Sequence, residues 1–351
     1  MATIKDVARL AGVGIGTASR AISGRGAVAP ETLARVQQAV RELDFRPSHT
    51  ARALSLRTQG MLGVYVPHFE GSFYGPILGA IDAELRAVDR HMVAANGCGH
   101  GDRRQQALDG VDFLIQRECD GVLVLSNDLT DDDVIELQRR CERLVLLNRR
   151  VPAIAAHCFT TDHGQAGRLA ARALLQRGHR DIATISGPHN APDNEARMAG
   201  FRDELAQHGV KLKRAHQVDG DFMIASGALA ARELLMSPRR AYTAVFCAND
   251  QMAMGAISAF FQAGLCVPDD LSVIGFDDSA IAAYSTPPLT TVRIPIESVA
   301  VNGCRFLINL CYGLALPVQR EFPSGVVWRQ SVGDGPHLRK APRDLDIPIA
   351  A

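Results

Sequence analysis

Two sets of side chains in this 351-residue sequence could do chemistry. The first is polar and gathers at the ends of apolar runs. Asn148 and Arg149 follow Leu144–Leu147, Asn249 follows Ala244–Ala248, and Asp277 follows Ser272–Phe276. Arg197 holds an analogous place in the second half of the chain, within a helical stretch. An Arg, two Asn and an Asp converging on a cleft can fork hydrogen bonds to vicinal hydroxyls. Phe73 and Tyr74, after the first apolar run, and Phe222, opposite, could close the faces of a sugar ring or a base. Singly, each polar residue could equally be a surface or capping group. As a set at strand ends they mark a binding site. The second set is the segment Ile15–Ser23, IGTASRAIS, with three hydroxyls and a guanidinium on one short helix. Thr17, Ser19 and Arg20 suit phosphate or a guanine edge, with Ile15 and Gly16 facing bases.

Other chemistries fit less well. Gly12, Gly14 and Gly16 imitate a dinucleotide loop, but a helix precedes them rather than a strand. The third glycine also falls one residue early, and Thr17 stands where it should be. His157, Cys158, Asp162 and His163 match no metal-ligand spacing, and Asp162 reads as a helix cap. There is no GxSxG elbow, phosphate loop or paired acid and base. Neither catalysis, a metal nor a cofactor is expected.

The elements that would position both sets divide the chain into a head, a linker and a body. Over residues 3–45 apolar residues recur only at helical spacing. Ile4, Val7, Ala8 and Ala11 mark one helix, Ala18 and Ile22 a second, and Leu33, Val36, Val40 and Leu43 a third opened by Pro30. A glycine turn between the first two makes a helix-turn-helix, whose second helix lies in the major groove. Residues 47–60 hold too few apolar groups to fold alone. From Leu62 strands alternate with amphipathic helices. The strands are expected at Leu62–Val66, Met92–Ala95, Gly121–Leu125, Leu144–Leu147, Ile182–Ser186, Ala244–Ala248 and Ser272–Phe276. Helices are expected at Gly164–Gln176, Glu195–Gln207 and Asp250–Gln262. This is the pattern of doubly wound parallel sheets, here two similar halves dividing near Asp162, with ligand between them at the strands' carboxyl ends.

Charge supports the division. Lys plus Arg equals Asp plus Glu at 38 each, yet residues 1–59 carry nine basic and four acidic groups. A basic head on an acidic body suits a nucleic-acid-binding module joined to something else. The N-terminus lacks a secretory pattern, no apolar run approaches a membrane span, and the eight cysteines form no CxxC pair. Reduced thiols and a cytoplasmic location are expected, with no membrane partner. Cys304 and Cys311 read as core.

ATIKDVARLAGVGIGTASRAISG, Ala2–Gly24, resembles the head of the lactose/galactose-repressor family of bacterial transcription factors. The resemblance continues to about Val332 through ARAL (Ala51–Leu54), RRVP (Arg149–Pro152), GHRDIA (Gly178–Ala183) and RMAGF (Arg197–Phe201). It includes ANDQMAMGA (Ala248–Ala256), SVIGFDD (Ser272–Asp278) and PPLTTVR (Pro287–Arg293). LLNRRVPAIAAHC and FPSGVVWRQSV resemble the galactose-type branch most. The resemblance implies an all-α helix-turn-helix head over 1–46, a hinge helix over 47–60, and a body over 61–335 made of two α/β subdomains of periplasmic-binding-protein type. A disordered tail over 336–351 completes the plan.

The resemblance also implies DNA contacts at Thr3, Ile15, Gly16, Thr17, Ser19, Arg20, Ser23, Ser48 and Ala51, with Leu54 as a wedge in the minor groove. It places Phe73, Tyr74, Asn148, Arg149, Arg197, Phe222, Asn249 and Asp277 at effector positions. The head departs from the family at Gly14, where Ser is usual, at Gly16, where a base-reading residue is common, and at Ser23 and Ser48, where Asn is frequent. The implied protein is a repressor binding double-stranded operator DNA and released by a small sugar, with a purine or nucleoside as the alternative effector. The tail from Gly333, rich in Pro and without leucine heptads, is expected to be disordered and implies a homodimer rather than a tetramer. A sugar-binding protein or an enzyme without DNA function would have no use for the basic head.

Overall fold

The computed structural model describes residues 2–23, 27–45, 58–97, 101–236 and 242–336. It divides into a head ending at Met61 and a body from Leu62. Most of the linker, including Ser48, Ala51 and Leu54, and the tail beyond Pro336 lie outside the described residues, as does the side chain of Ser23.

Among the described residues the head is three helices: α1 (Ile4–Leu10), α2 (Ile15–Ser23) and α3 (Pro30–Glu42). Thr3 caps α1 reciprocally with Asp6, each side chain accepting from the other's backbone N–H. Gly12, at φ +64°, makes the tight turn into α2, a conformation glycine reaches without the Cβ penalty. Val7, Ala11, Ala21, Val36 and Ala39 form the core, flanked by half-buried Ile22, Leu33, Val40 and Leu43.

The body holds two sheets. In the first the order is β2 (His91–Asn96), β1 (Met61–Val66), β3 (Val122–Val124), β4 (Leu144–Leu147), β5 (Cys158–Phe159). β3 runs parallel to both neighbours, with Leu123 opposite Val64 on one side and Val145 on the other. The second sheet has the order β11 (Gly325–Val327), β10 (Thr290–Arg293), β9 (Ser272–Asp277), β8 (Ala244–Cys247), β6 (Ile182–Ser186), β7 (Gln217–Asp219). It is parallel except for β11, which pairs antiparallel with β10. LVLL and AVFC are buried throughout, as strands covered on both faces must be.

Between the strands run α4 (Tyr74–Ala87), α5 (Arg103–Gln116), α6 (Asp131–Arg140), α7 (His163–Gln176), α8 (Pro192–Gln207), α9 (Ile224–Met236), α10 (Asp250–Gln262), α11 (Ala280–Tyr284) and α12 (Ile296–Tyr312). Asp162 caps α7 by accepting from the Gln165 N–H at 2.9 Å.

Two expectations need correction. The halves do not divide at a single point near Asp162. α12 follows β10 of the second sheet, yet buries Val299, Cys304, Leu307, Ile308 and Cys311 in the core of the first, with Ile81, Val145 and Phe159. The chain therefore crosses between subdomains near residue 160, again after Arg293, and back before β11. Nor is the chain loose from Gly333. The Gly333 N–H donates to Ser272 Oγ at 3.0 Å, and the Gly335 N–H to the Arg177 carbonyl at 2.6 Å.

Candidate functional site

A cavity in the body opens between the two sheets at their carboxyl ends. From the first subdomain come Phe73 and Tyr74 at the start of α4, Asn127 and Asp128 after β3, and Asn148 after β4. From the second come Asp193 and Arg197 on α8, Phe222 after β7, Asn249 after β8, and Asp277 closing β9. Seven of the eight residues expected around a ligand thus line one cavity. Arg149 does not. Its guanidinium turns away to the Leu129 carbonyl and the Asp131 carboxylate. Asn148 has φ +60°, which sends the chain sharply out of β4 and parts the two neighbours.

Arg197 is the most enclosed of these groups, with 2% of its surface exposed. It donates to the Ala248 carbonyl, lies 3.5 Å from Asp193 Oδ2, and stacks 3.7 Å from the centre of the Phe276 ring. Its Nε has no partner. Asp193 also accepts from Asn127 Nδ2 at 2.8 Å and from Asn148 Nδ2 at 3.4 Å, both across the cleft. Asn148 Oδ1 in turn meets His163 Nε2 at 3.0 Å. Burial, and then the charge of Arg197, push the His163 pKa down to about 4, so the imidazole is neutral at neutral pH. Asp193 and Asn127 escaped the sequence reading, and His163 was weighed there only as a metal ligand. The only available signal was the Asp193–Arg197 spacing of four on one helix face, and an acid at a helix start reads first as dipole compensation.

Asn249 works twice. Its Oδ1 accepts from the Met252 N–H at 2.9 Å and caps α10, while its Nδ2 donates to the Phe222 carbonyl at 2.9 Å. A Cβ on Gly187 would collide with the Phe222 ring, so glycine there lets the ring lie flat. Phe73 and Tyr74 meet edge to face, their centres 5.2 Å apart. Asp277 has φ +109°, a sparsely populated conformation for a residue with a side chain. Its carboxylate accepts no hydrogen bond from any described residue. Burial, with Asp250 and Asp193 nearby, raises its pKa well above the carboxylate range although Arg197 pulls it down.

In the head, Ile15, Gly16 and Arg20 are exposed on α2, Ile15 at 49%, and Thr17 and Ser19 are half-buried. Arg20 Nη2 donates to Thr17 Oγ1 at 3.3 Å. Thr3 instead spends its hydroxyl on Asp6, at 2.7 Å. A Cβ on Gly16 would meet nothing nearer than Arg20 Nη1 at 4.0 Å. Gly16→Ala is therefore expected to stabilise the head by about 1 kcal/mol, read from chemical denaturation. Gly16→Gln is expected to change the preferred half-site at one or two positions in a selection from random DNA. An unchanged motif would show that this position faces no base.

A head with an exposed second helix, joined to two α/β subdomains around a polar cleft, defines a ligand-responsive DNA-binding regulator. Residues 3–48 match the bacterial regulatory proteins of the lacI family, and residues 171–332 match a periplasmic binding protein-like domain. The chain is 35% identical to the transcriptional regulator GalS of Salmonella typhimurium over 333 residues, 95% of this chain and 97% of that protein. It is 34% identical to the repressor PurR of Erwinia tasmaniensis over 340 residues, 96% and 98% of the two chains. A solved lac repressor dimer, bound to operator and an anti-inducer, superposes with a TM-score of 0.83 at 26% identity. That match covers 95% of this chain and 99% of that one. The chain belongs to the lacI family of bacterial transcriptional regulators.

Proposed function

We propose that this protein is a sugar-responsive repressor. As a homodimer it holds a near-palindromic operator through α2 of each head, in the cytoplasm. Effector binding between the body subdomains changes the balance between DNA-bound and free states, and the coupling is reciprocal. Ile15, Gly16, Thr17, Ser19 and Arg20 supply the base and phosphate contacts. Ser23, Ser48, Ala51 and the Leu54 wedge belong to the same proposal on family resemblance alone.

The observation that carries the sugar reading is the unpaired Asp277 carboxylate beside Arg197, in a cleft lined by Asn148, Asn249 and three aromatic rings. An acceptor beside donors, with apolar faces around them, matches vicinal hydroxyls on a ring whose flat side is apolar. A purine is the second reading. It is favoured by the aromatic rings Phe73, Tyr74 and Phe222 and by the likeness to PurR.

The test is a thermal-shift screen of sugars against nucleosides, since ligand stabilises by RT ln(1 + [L]/Kd). Operator titration with and without each hit follows. A sugar that raises Tm and weakens operator binding is the expected result. A nucleoside doing so alone would assign the purine reading.

A further inference from the structure

Asp277 keeps its place in the cleft through its neighbours. Asp277 and Asp278 follow one another with φ +109° and +58°, two sparsely populated conformations that persist only where the surroundings fix them. The fixing groups lie just beyond Asp277. The Asp278 side chain is 7% exposed. Its Oδ2 accepts from Arg293 Nε at 3.1 Å and its Oδ1 from Arg329 Nη2 at 2.6 Å. Arg329 is anchored in turn, donating from Nη1 to the Leu289 carbonyl at 2.8 Å. One residue further, the Ser279 N–H and hydroxyl both donate to Asp250 Oδ2, at 2.7 and 3.0 Å. Asp250 follows the cleft residue Asn249, and its other oxygen accepts from Thr291 Oγ1 of β10 at 2.6 Å. A Cβ at Gly275 would collide with the Asp250 carboxylate, so glycine in β9 makes room for this contact.

We propose that Asp278, Arg293 and Arg329 are positioning residues for the effector site, their ion pairs holding the turn that presents Asp277 to the cleft. The inference rests on effector binding in that cleft, and not on whether the effector is a sugar or a purine. The two arginines stand at particular places in the chain. Arg293 ends β10, where the chain leaves for the first subdomain, and Arg329 follows β11, where it has returned. One carboxylate thus joins the residue that faces the ligand to both ends of a crossover between the subdomains. Asp278 and Arg329 are both largely shielded from water, so salt screens their pair less than a surface pair. Loss of either arginine leaves a nearly buried carboxylate short of a partner, which is costly. The turn then relaxes toward ordinary backbone and carries Asp277 out of its present place.

The first experiment uses the full chain and no effector. Methionine in place of arginine keeps an apolar stem and removes every donor. Arg293→Met and Arg329→Met are made singly and together, each with Asp277 and with Asp277→Asn. Urea denaturation between about pH 4 and about pH 7 gives the stability gap between the two residues at 277 in each background. General destabilisation cancels in that gap. The other groups that act on Asp277 are common to both members of each pair: Arg197 and Asp193 of α8, Asp250 of α10 and Tyr74 of α4. In the parent the gap widens as pH rises, because buried Asp277 holds its proton. In the arginine variants this widening is expected to be largely lost, since a carboxyl carried toward water returns to its ordinary pKa. Electrostatics alone has the opposite sign, because removing a cation near a buried carboxyl raises its pKa and widens the gap. A gap that widens as much as in the parent, or more, would overturn the proposal. Arg293 is 43% exposed, so Arg293→Met carries the comparison alone if Arg329→Met does not fold. Galactose and adenosine are then titrated by thermal shift. Whichever protects the parent is expected to bind the double variant about 2- to 13-fold more weakly, as for the loss of one hydrogen bond. Equal affinity would show that the clamp serves the turn and not the effector, and would also overturn the proposal. If neither probe protects the parent, that failure belongs to the proposed function, and the pH comparison still decides the clamp.

Discussion

Asp277→Asn is expected to fold, bind operator DNA like the parent, and respond to the effector only at higher concentration. The substitution keeps the side chain's shape, and asparagine tolerates the positive φ of this position as well as aspartate does. It removes no hydrogen bond within the described residues. What it loses is the carboxyl group, and a hydrogen bond from it to a ligand contributes roughly 0.5–1.5 kcal/mol, or about 2- to 13-fold in affinity. Operator titrations across effector concentrations measure the loss, and an unshifted response in the variant would exclude Asp277 from the site. Arg197→Ala is a poorer probe, although it belongs to the same cleft. Arg197 is buried against Phe276, Asp193 and the Ala248 carbonyl. Its removal strands a buried carboxylate and is expected to cost about 3–5 kcal/mol of stability.

The same substitution has a signature in pH. Burial raises the Asp277 pKa above its unfolded value near 4. Between those two values the native state holds the proton more tightly than the unfolded chain, so the residue's contribution to stability falls as pH rises. Asparagine does not titrate. Asp277→Asn should therefore match the parent near pH 4 and become progressively more stable than it toward neutral pH. Urea denaturation of both proteins across that range measures the difference. A difference that shrinks as pH rises would mean that Asp277 is stabilised as the anion.

The head and the long buried strands were legible because their signals are local. Gly12 breaks one helix and Pro30 opens another, and LVLL and AVFC are apolar along their length. β5, β7 and β11 were not legible, since two or three residues cannot show a period. β10 was hidden differently. Thr290 and Thr291 are fully buried but polar, satisfied by hydrogen bonds to the Arg329 N–H and to Asp250. The stripe on α12 announces a buried face without naming the sheet that covers it. In the cleft, strand-end polar residues could be found one by one. The partner of Arg197 and the departure of Arg149 depend on helix phase and on the turn at Asn148, which no local pattern reports.

The glycines that seal α7 against α8 support the largest stability prediction. Glycine in a helix is a poor former, and replacing it by alanine ordinarily gains about 1 kcal/mol. At Gly200 a Cβ would overlap the carbonyl oxygen of Gly164, and at Gly167 it would overlap that of Arg197. Both obstacles are helix backbone, so no rotamer change relieves them, and the helices themselves must part. Overpacking costs typically 1–3 kcal/mol and occasionally more, and this geometry belongs at the upper end. Gly200→Ala and Gly167→Ala are each expected to lose about 3 kcal/mol in urea denaturation. Gly79→Ala on α4 is the control. Nothing lies within 4 Å of its Cβ position, and it should be neutral or stabilising. The consequence reaches the cleft, because α8 carries both Asp193 and Arg197. Moving α8 off α7 shifts Arg197 relative to Asn249 and Asp277, which other elements hold. The two glycine variants should lose effector affinity along with stability, whereas Gly79→Ala should keep it. Full effector affinity in a destabilised Gly200→Ala protein would show that α8 moves without taking Arg197 with it.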